Sequence, residues 1–155
     1  MVSRNFMKSL TAGALVVGLG VTLALAATDD QIKARQAEMK ANNKAAGALV
    51  AIIKGEAPYD AAVVKSSIDD MVTADKAAQA AHAWDATSQK GETLETWAKP
   101  EIWAAGSDIG VKYQALVDAR TAVAATTDEA SFKAAFPALG KACQSCHEEF
   151  RRPKG

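Results

Sequence analysis

The sequence predicts an all-α protein folded as an antiparallel four-helix bundle. Apolar residues recur at three- and four-residue steps in four separate stretches, and no stretch has a strand-like pattern. The composition agrees, because alanine is abundant while aromatic residues make up 6% and charged residues 23% of the 155 residues. This length is enough for one domain with a sizeable core. Amphipathic helices joined mostly by short loops pack as an antiparallel bundle.

The N-terminal segment differs from the rest of the chain. Arg4 and Lys8 precede an uncharged apolar run, and Ala24-Leu25-Ala26 then supplies small residues at a cleavage site. We interpret residues 1–26 as a secretory signal peptide, cleaved after Ala26 or Ala27. An uncleaved anchor is the alternative, although the apolar run is short for a membrane span.

The mature chain, residues 27–155, would be exported, which in a Gram-negative bacterium means the periplasm. Loss of the two basic residues of the signal leaves 16 basic and 18 acidic residues, a formal charge of about −2. No basic tract is present, so nucleic-acid binding is not expected. No membrane span is expected after signal cleavage.

The first predicted helix runs from about Asp29 to Ile53. Gly55 and Pro58 end it, because glycine accepts a left-handed C-terminal cap and proline cannot continue a helix. Its apolar stripe consists of Ile32, Met39, Ala46, Leu49, Val50 and Ile53.

The second predicted helix begins after Asp60, a plausible N-cap, and extends to about Trp84. Its stripe consists of Val64, Ile68, Met71, Ala74, Ala78 and Ala81. Over residues 85–99 the periodicity fails, which predicts one long connection. Trp97 in this connection is expected to cover the core.

The third predicted helix runs from Pro100, at a first helical position, to about Ala125. Thr126-Thr127-Asp128-Glu129 has a capping-box pattern that opens the last helix. Pro137 should bend this helix or disturb one turn. Its stripe consists of Phe132, Phe136, Leu139, Cys143, Cys146, His147 and Phe150, which predicts that the motif described next lies on the core face.

The most specific motif is Cys143-Gln144-Ser145-Cys146-His147. This C-x-x-C-H pattern is typical of covalent haem c attachment, in which two thiols add to haem vinyl groups and the imidazole binds iron. On a helix, positions i, i+3 and i+4 share a face, so all three side chains can reach one macrocycle. Export supports this interpretation, because haem c is attached outside the cytoplasm.

Three other interpretations of the motif remain open. A reversible redox dithiol would be expected beside a strand–helix unit, and none is predicted. A zinc site needs about four ligands, yet the only other histidine is His82 and there is no further cysteine. A disulfide between residues three apart would stabilise weakly.

The mature chain resembles the class II cytochromes c, the family of cytochrome c′ and the low-spin cytochrome c-556. The resemblance covers essentially the whole mature chain, which is most similar to the low-spin cytochrome c-556 branch. Four segments carry the resemblance: 35–40, 54–60, 100–103 and 140–151. It implies a four-helix bundle with one covalently attached haem c per chain, His147 as the proximal iron ligand and thioethers at Cys143 and Cys146.

The resemblance also implies that Met39 occupies the distal iron position. Methionine ligation would raise the reduction potential and close the iron to gases. The alternative is an ordinary core methionine. Met71 and His82 are weaker ligand candidates. Arg35, one turn before Met39, is a candidate partner of a haem propionate, as is Arg151.

We therefore expect a one-electron carrier with His/Met ligation, working with redox partner proteins that the sequence does not identify. The alternative is a five-coordinate protein of the cytochrome c′ type that binds nitric oxide or carbon monoxide. A structural bundle with a disulfide is a third possibility. No nucleophile–base pair or paired acid is recognisable, so we do not expect an enzyme. Class II relatives are often dimers through the first two helices, and the sequence leaves this open.

Overall fold

The computed structural model describes the backbone of residues 19–153 and the side chains of residues 28–153. Within these residues it has four α-helices, two short 3-10 helices and no strand. The α-helices are α1 Leu19–Ile53, α2 Ala61–Ala80, α3 Ile109–Ala124 and α4 Glu129–Phe150. Helix α1 packs against α2, α3 packs against α4, and α2 also contacts α3. The predicted four-helix bundle is confirmed.

The start of α1 differs from the prediction. The helix begins at Leu19 rather than near Asp29, and helical backbone runs through both expected cleavage positions. Residues 1–18 lie outside the described part of the chain, so the signal peptide stays a prediction. In residues 19–153, no helix is long and apolar enough to cross a membrane.

The turn between α1 and α2 follows the sequence prediction. Gly55 takes a positive φ of 72° just after α1 ends. Asp60 caps α2, because its carboxylate accepts hydrogen bonds from the backbone N–H groups of Ala62 and Val63. This cap satisfies donors that the first helical turn would otherwise leave unpaired.

The connection between α2 and α3 is longer than predicted. α2 ends at Ala80 instead of near Trp84, and Pro100–Trp103 forms only a short 3-10 turn. The prediction of a continuous third helix from Pro100 is wrong, because Ala104 is extended and Gly106 takes a positive φ of 82°. An α-helix cannot pass through these two conformations.

Helix α4 carries the Cys-x-x-Cys-His motif, and its start differs in detail from the prediction. The N-cap is Asp128, which accepts from the Ser131 N–H while the Ser131 hydroxyl accepts from the Asp128 N–H. The capping box therefore uses Asp128 and Ser131 rather than Thr126 and Glu129. Pro137 lies inside α4 without ending it.

The apolar core lies between all four helices. Its largest fully buried side chains include Phe132, whose ring contacts Tyr59 and Phe136. Trp97, expected to cover the core, is 45% exposed. The core cluster consists of Ala45, Leu49, Ile52, Val64, Ile68, Met71, Ala119, Val123, Phe132, Leu139 and Ala142.

Candidate functional site

The motif lies in the last turns of α4, at the edge of the core face. Cys143 and Cys146 are half-buried and both thiols are free. His147 is exposed, so the expectation that it faces the core is wrong. At about 100° per residue, it lies roughly 60° around the helix from Phe132 and Phe150, at the edge of the buried stripe that also includes Leu139 and Ala142.

An open groove of about 530 Å³ runs along this edge of α4. Cys143 and His147 both line it, whereas Cys146 and Met39 do not. The rest of its lining consists of Gly140, Gln144, Glu148, Arg151, Arg152 and Pro153. The groove therefore brings one thiol and the imidazole of the motif to a common, partly charged surface.

Burial favours the neutral forms of the motif side chains. Burial raises the pKa of the Cys143 and Cys146 thiols, and the positive charges of Arg120 and Lys112 oppose this without reversing it. Although the His147 side chain as a whole is exposed, the protein atoms packed near its ring desolvate it and lower its pKa, and the charge of Arg151 lowers it further. A neutral imidazole is the form that binds a metal ion.

The two buried or half-buried methionines occupy different environments. Met71 is 2% exposed and belongs to the apolar core cluster. Met39 is half-buried on α1, and among the described residues that cluster does not include it. His82, the other weak ligand candidate, is exposed at the end of α2, with φ of 52°, and pairs with Asp85 at 3.1 Å.

Arg35, the candidate propionate partner, is 3% exposed and tied to the long connection. Its Nη1 donates to the Ala83 carbonyl and to the Ser88 hydroxyl at 2.5 and 2.7 Å. Its Nη2 donates to the Ser88 carbonyl and to the Thr96 hydroxyl, both at 3.0 Å. These four bonds use all four N–H groups of the two terminal nitrogens. A contact from Arg35 to a propionate stays a prediction.

A buried polar cluster lies inside the bundle, and the sequence reasoning missed it. Arg120 of α3 pairs with Asp75 of α2, which also accepts from the Tyr113 hydroxyl at 3.2 Å. Arg120 further donates to Asn42 of α1 at 3.4 Å. Its buried Nε has no hydrogen-bond partner among the described residues.

Glu38 of α1, next to Met39 in the chain, belongs to the same cluster. It is 6% exposed and accepts from the Trp84 indole N–H at 2.8 Å. Burial raises the pKa of Glu38 to about 7; the Trp84 bond opposes the rise and the nearby Asp75 adds to it. A sequence signal for the cluster was present, since Asp75 lies four residues, about one helical turn, after Met71 of the predicted stripe and next to its Ala74.

Comparison with known proteins identifies the family. A family model described as Cytochrome C′ matches residues 30–151. The chain belongs to the cytochrome c′ family. A cytochrome c′ of Rhodopseudomonas palustris is 36% identical over 144 residues, covering 92% of this chain and 94% of the relative. A cytochrome c-556 of Agrobacterium fabrum is 33% identical over 150 residues, covering 96% of this chain and 97% of the relative.

A solved structure of the cytochrome c′ family confirms the fold. A ferrous variant of cytochrome c′ from Alcaligenes xylosoxidans with bound NO has a TM-score of 0.66 and 28% identity, covering 82% of this chain and 97% of that chain. The prediction of a class II c-type cytochrome is confirmed. Members of both named branches resemble the chain, which is a haem protein for electron transfer or gas binding.

The donor set of the chain fits the cofactor of the cytochrome c′ family, a covalently attached haem c. Two free thiols lie three residues apart on one helix, and the imidazole of His147, whose pKa is lowered, follows them directly. Cys143 and Cys146 are the two cysteines of the sequence, so both belong to the motif. The haem supplies an iron that changes oxidation state by one electron.

Proposed function

We propose that the protein is a periplasmic electron carrier that transfers one electron at a time through a haem with His/Met ligation. Cys143 and Cys146 form the thioethers, His147 is the proximal iron ligand and Met39 is the distal ligand. The polypeptide holds both axial ligands on packed helices, which keeps structural change on electron transfer small. Thioether ligation raises the reduction potential.

The observation that supports this ligand assignment is the contrast between Met39 and Met71. A methionine that only fills space is expected to look like Met71, fully buried among apolar side chains. Met39 instead lies half-buried on α1, outside the apolar core cluster. Met39 also matches the distal position of the family that the chain resembles.

Export and partners belong to the same proposal. The N-terminal signal would deliver the chain to the periplasm, where redox partner proteins exchange electrons with it at a partly exposed haem edge. A homodimer through α1 and α2 is compatible with this function, since a shallow groove of about 260 Å³ between them is lined mainly by alanine. We propose no enzymatic role for the protein.

The competing function is gas binding at a five-coordinate iron. A family member with bound NO supports this alternative. Gas binding requires that Met39 does not coordinate the iron, so that the sixth coordination position is free.

Carbon monoxide binding to the ferrous haem protein separates the two functions. An electron carrier with methionine ligation should give a low-spin spectrum that changes little with carbon monoxide, and Met39→Ala should bind the gas readily. Met71→Ala serves as the control, because it removes a core methionine and should leave gas binding as in the native protein. A high-spin native spectrum that changes at once with carbon monoxide would establish the gas-binding function instead.

A further inference from the structure

A short strap joins the long connection to the end of α4. The strap is residues 96–99, and its backbone runs antiparallel to residues 150–152. The Lys99 N–H donates to the Phe150 carbonyl at 2.9 Å, and the Arg152 N–H donates to the Trp97 carbonyl at 2.7 Å. Arg152 Nη2 also donates to the Thr96 carbonyl at 2.7 Å. The strap therefore fixes the segment that directly follows the proposed proximal ligand.

The other side of the strap is bound to α1. The Thr96 hydroxyl accepts from Arg35 Nη2 at 3.0 Å and from the Ala98 N–H at 3.2 Å. The same guanidinium lies over the rings of Trp84 and of Trp103, at 5.1 and 5.4 Å from their centroids. A buried guanidinium with four acceptors and two ring faces is costly to move, because each lost partner leaves a desolvated donor.

Thr96 therefore links two helices close to both proposed axial ligands. Arg35 lies four residues, about one turn, before Met39 on α1. Phe150 lies three residues after His147 on α4. The Thr96 hydroxyl accepts a hydrogen bond from Arg35, and the strap that contains Thr96 donates one to the Phe150 carbonyl.

We propose that Thr96 and Arg35 are positioning residues that hold Met39 on the iron by locking α1 to the end of α4. This inference rests on the proposed function, because it assumes that Met39 is the distal ligand. Loss of the hydrogen bond between Thr96 and Arg35 should let α1 shift, so that Met39 dissociates from the iron more often. An external ligand then competes more successfully, because its apparent affinity rises with the population of the open state.

The test compares carbon monoxide affinity and the methionine–iron charge-transfer band in the haem-loaded protein. Thr96→Val removes the hydroxyl that accepts from Arg35 while keeping the side-chain shape. We expect its ferrous form to bind carbon monoxide at least tenfold more tightly than the native protein, with a weaker charge-transfer band in the ferric form. Thr96→Ser keeps the hydroxyl and should stay within twofold of the native affinity.

Two further variants separate positioning from general destabilisation. Thr126→Val removes a hydroxyl that donates to the Val123 carbonyl at 2.8 Å, at the opposite end of the bundle. It should lower the melting temperature without changing carbon monoxide affinity. Arg152→Ala loosens the strap from the exposed side, where misfolding is not expected, and should raise the affinity about threefold.

The outcomes distinguish failure of this inference from failure of the proposed function. A low-spin native protein whose Thr96→Val and Arg152→Ala forms bind carbon monoxide as weakly as the native form would overturn the positioning role alone. Equal affinity changes in Thr126→Val and Thr96→Val would also overturn it. A high-spin native spectrum would overturn both, because Met39 would then not be a ligand.

Discussion

Trp84, in the connection after α2, donates its indole N–H to Oε2 of Glu38 on α1 at 2.8 Å. The carboxyl group is buried next to Asp75, and burial raises the pKa of Glu38 from 4.5 to about 7. In the native state, Glu38 therefore keeps its proton at pH values where the unfolded chain has lost it. The native state binds more protons between these pKa values, so this group makes stability fall as pH rises from about 4.5 to about 7.

Glu38→Gln should remove this pH dependence, because glutamine stays neutral and can still accept from Trp84. We expect the free energy of unfolding at pH 8 to exceed that of the native protein by up to about 3 kcal/mol, with little difference at pH 4.5. Urea unfolding at several pH values measures this difference in the free energy of unfolding. Glu101→Gln, on the exposed 3-10 turn, is the control and should follow the native curve. A constant difference across the whole range would contradict the prediction.

The ion pair between Asp75 and Arg120 is buried, with side chains 6% and 4% exposed. Arg120→Leu should lower the free energy of unfolding by about 3–5 kcal/mol, because it leaves the carboxylate buried and unpaired. A double variant with Asp75→Leu should recover part of this loss.

The exposed pair of Lys65 and Asp69 on α2 provides the comparison for this ion pair. Lys65→Ala should cost no more than about 1 kcal/mol. Chemical denaturation of the native protein, Arg120→Leu, the double variant and Lys65→Ala gives their free energies of unfolding. A double variant less stable than Arg120→Leu would show that the cluster is held by something other than charge pairing.

The ring of Phe132 is completely buried between Tyr59 and Phe136. Phe132→Ala should lower the free energy of unfolding by about 3–5 kcal/mol through lost burial and a cavity. Val111→Ala, at a position 72% exposed on α3, should change it by no more than about 0.5 kcal/mol. Equal losses in the two variants, measured by urea unfolding, would mean that the core is not centred on Phe132.

Covalent attachment depends on two thiols that should contribute independently. Cys143→Ser should still retain haem through Cys146, and Cys146→Ser through Cys143. Each single variant should show an alkaline pyridine haemochrome spectrum shifted towards that of a haem with one free vinyl group. The double variant should lose its haem in acidified acetone. A single variant with the native pyridine spectrum would exclude the substituted cysteine from attachment.

Much of the fold follows from local sequence. Asp60 and Gly55 lie where the capping rules place them. The predicted stripes of the second and last helices supply Val64, Ile68, Met71, Phe132 and Leu139 of the core cluster. The third helix was misjudged because Pro100 can open either a full helix or a single turn. Gly106, which takes a positive φ before α3 begins, was the relevant signal.

The site was predictable only in part. The attachment motif is contiguous, so residue spacing reveals it. The partners of Arg35, at Ala83, Ser88 and Thr96, lie 48 to 61 residues away along the chain. No local pattern indicates such contacts. The pairing of Asp75 with Arg120 is equally non-local, because 45 residues separate the two along the chain.

The central claim is that Met39 binds the iron. Iron-edge X-ray absorption of the haem-loaded protein, oxidised and reduced, tests it most directly by detecting a sulfur atom in the first coordination shell. We predict a sulfur scatterer in the native protein and in Met71→Leu, and its loss in Met39→Leu. A native spectrum fitted by nitrogen scatterers alone, unchanged in Met39→Leu, would contradict the account.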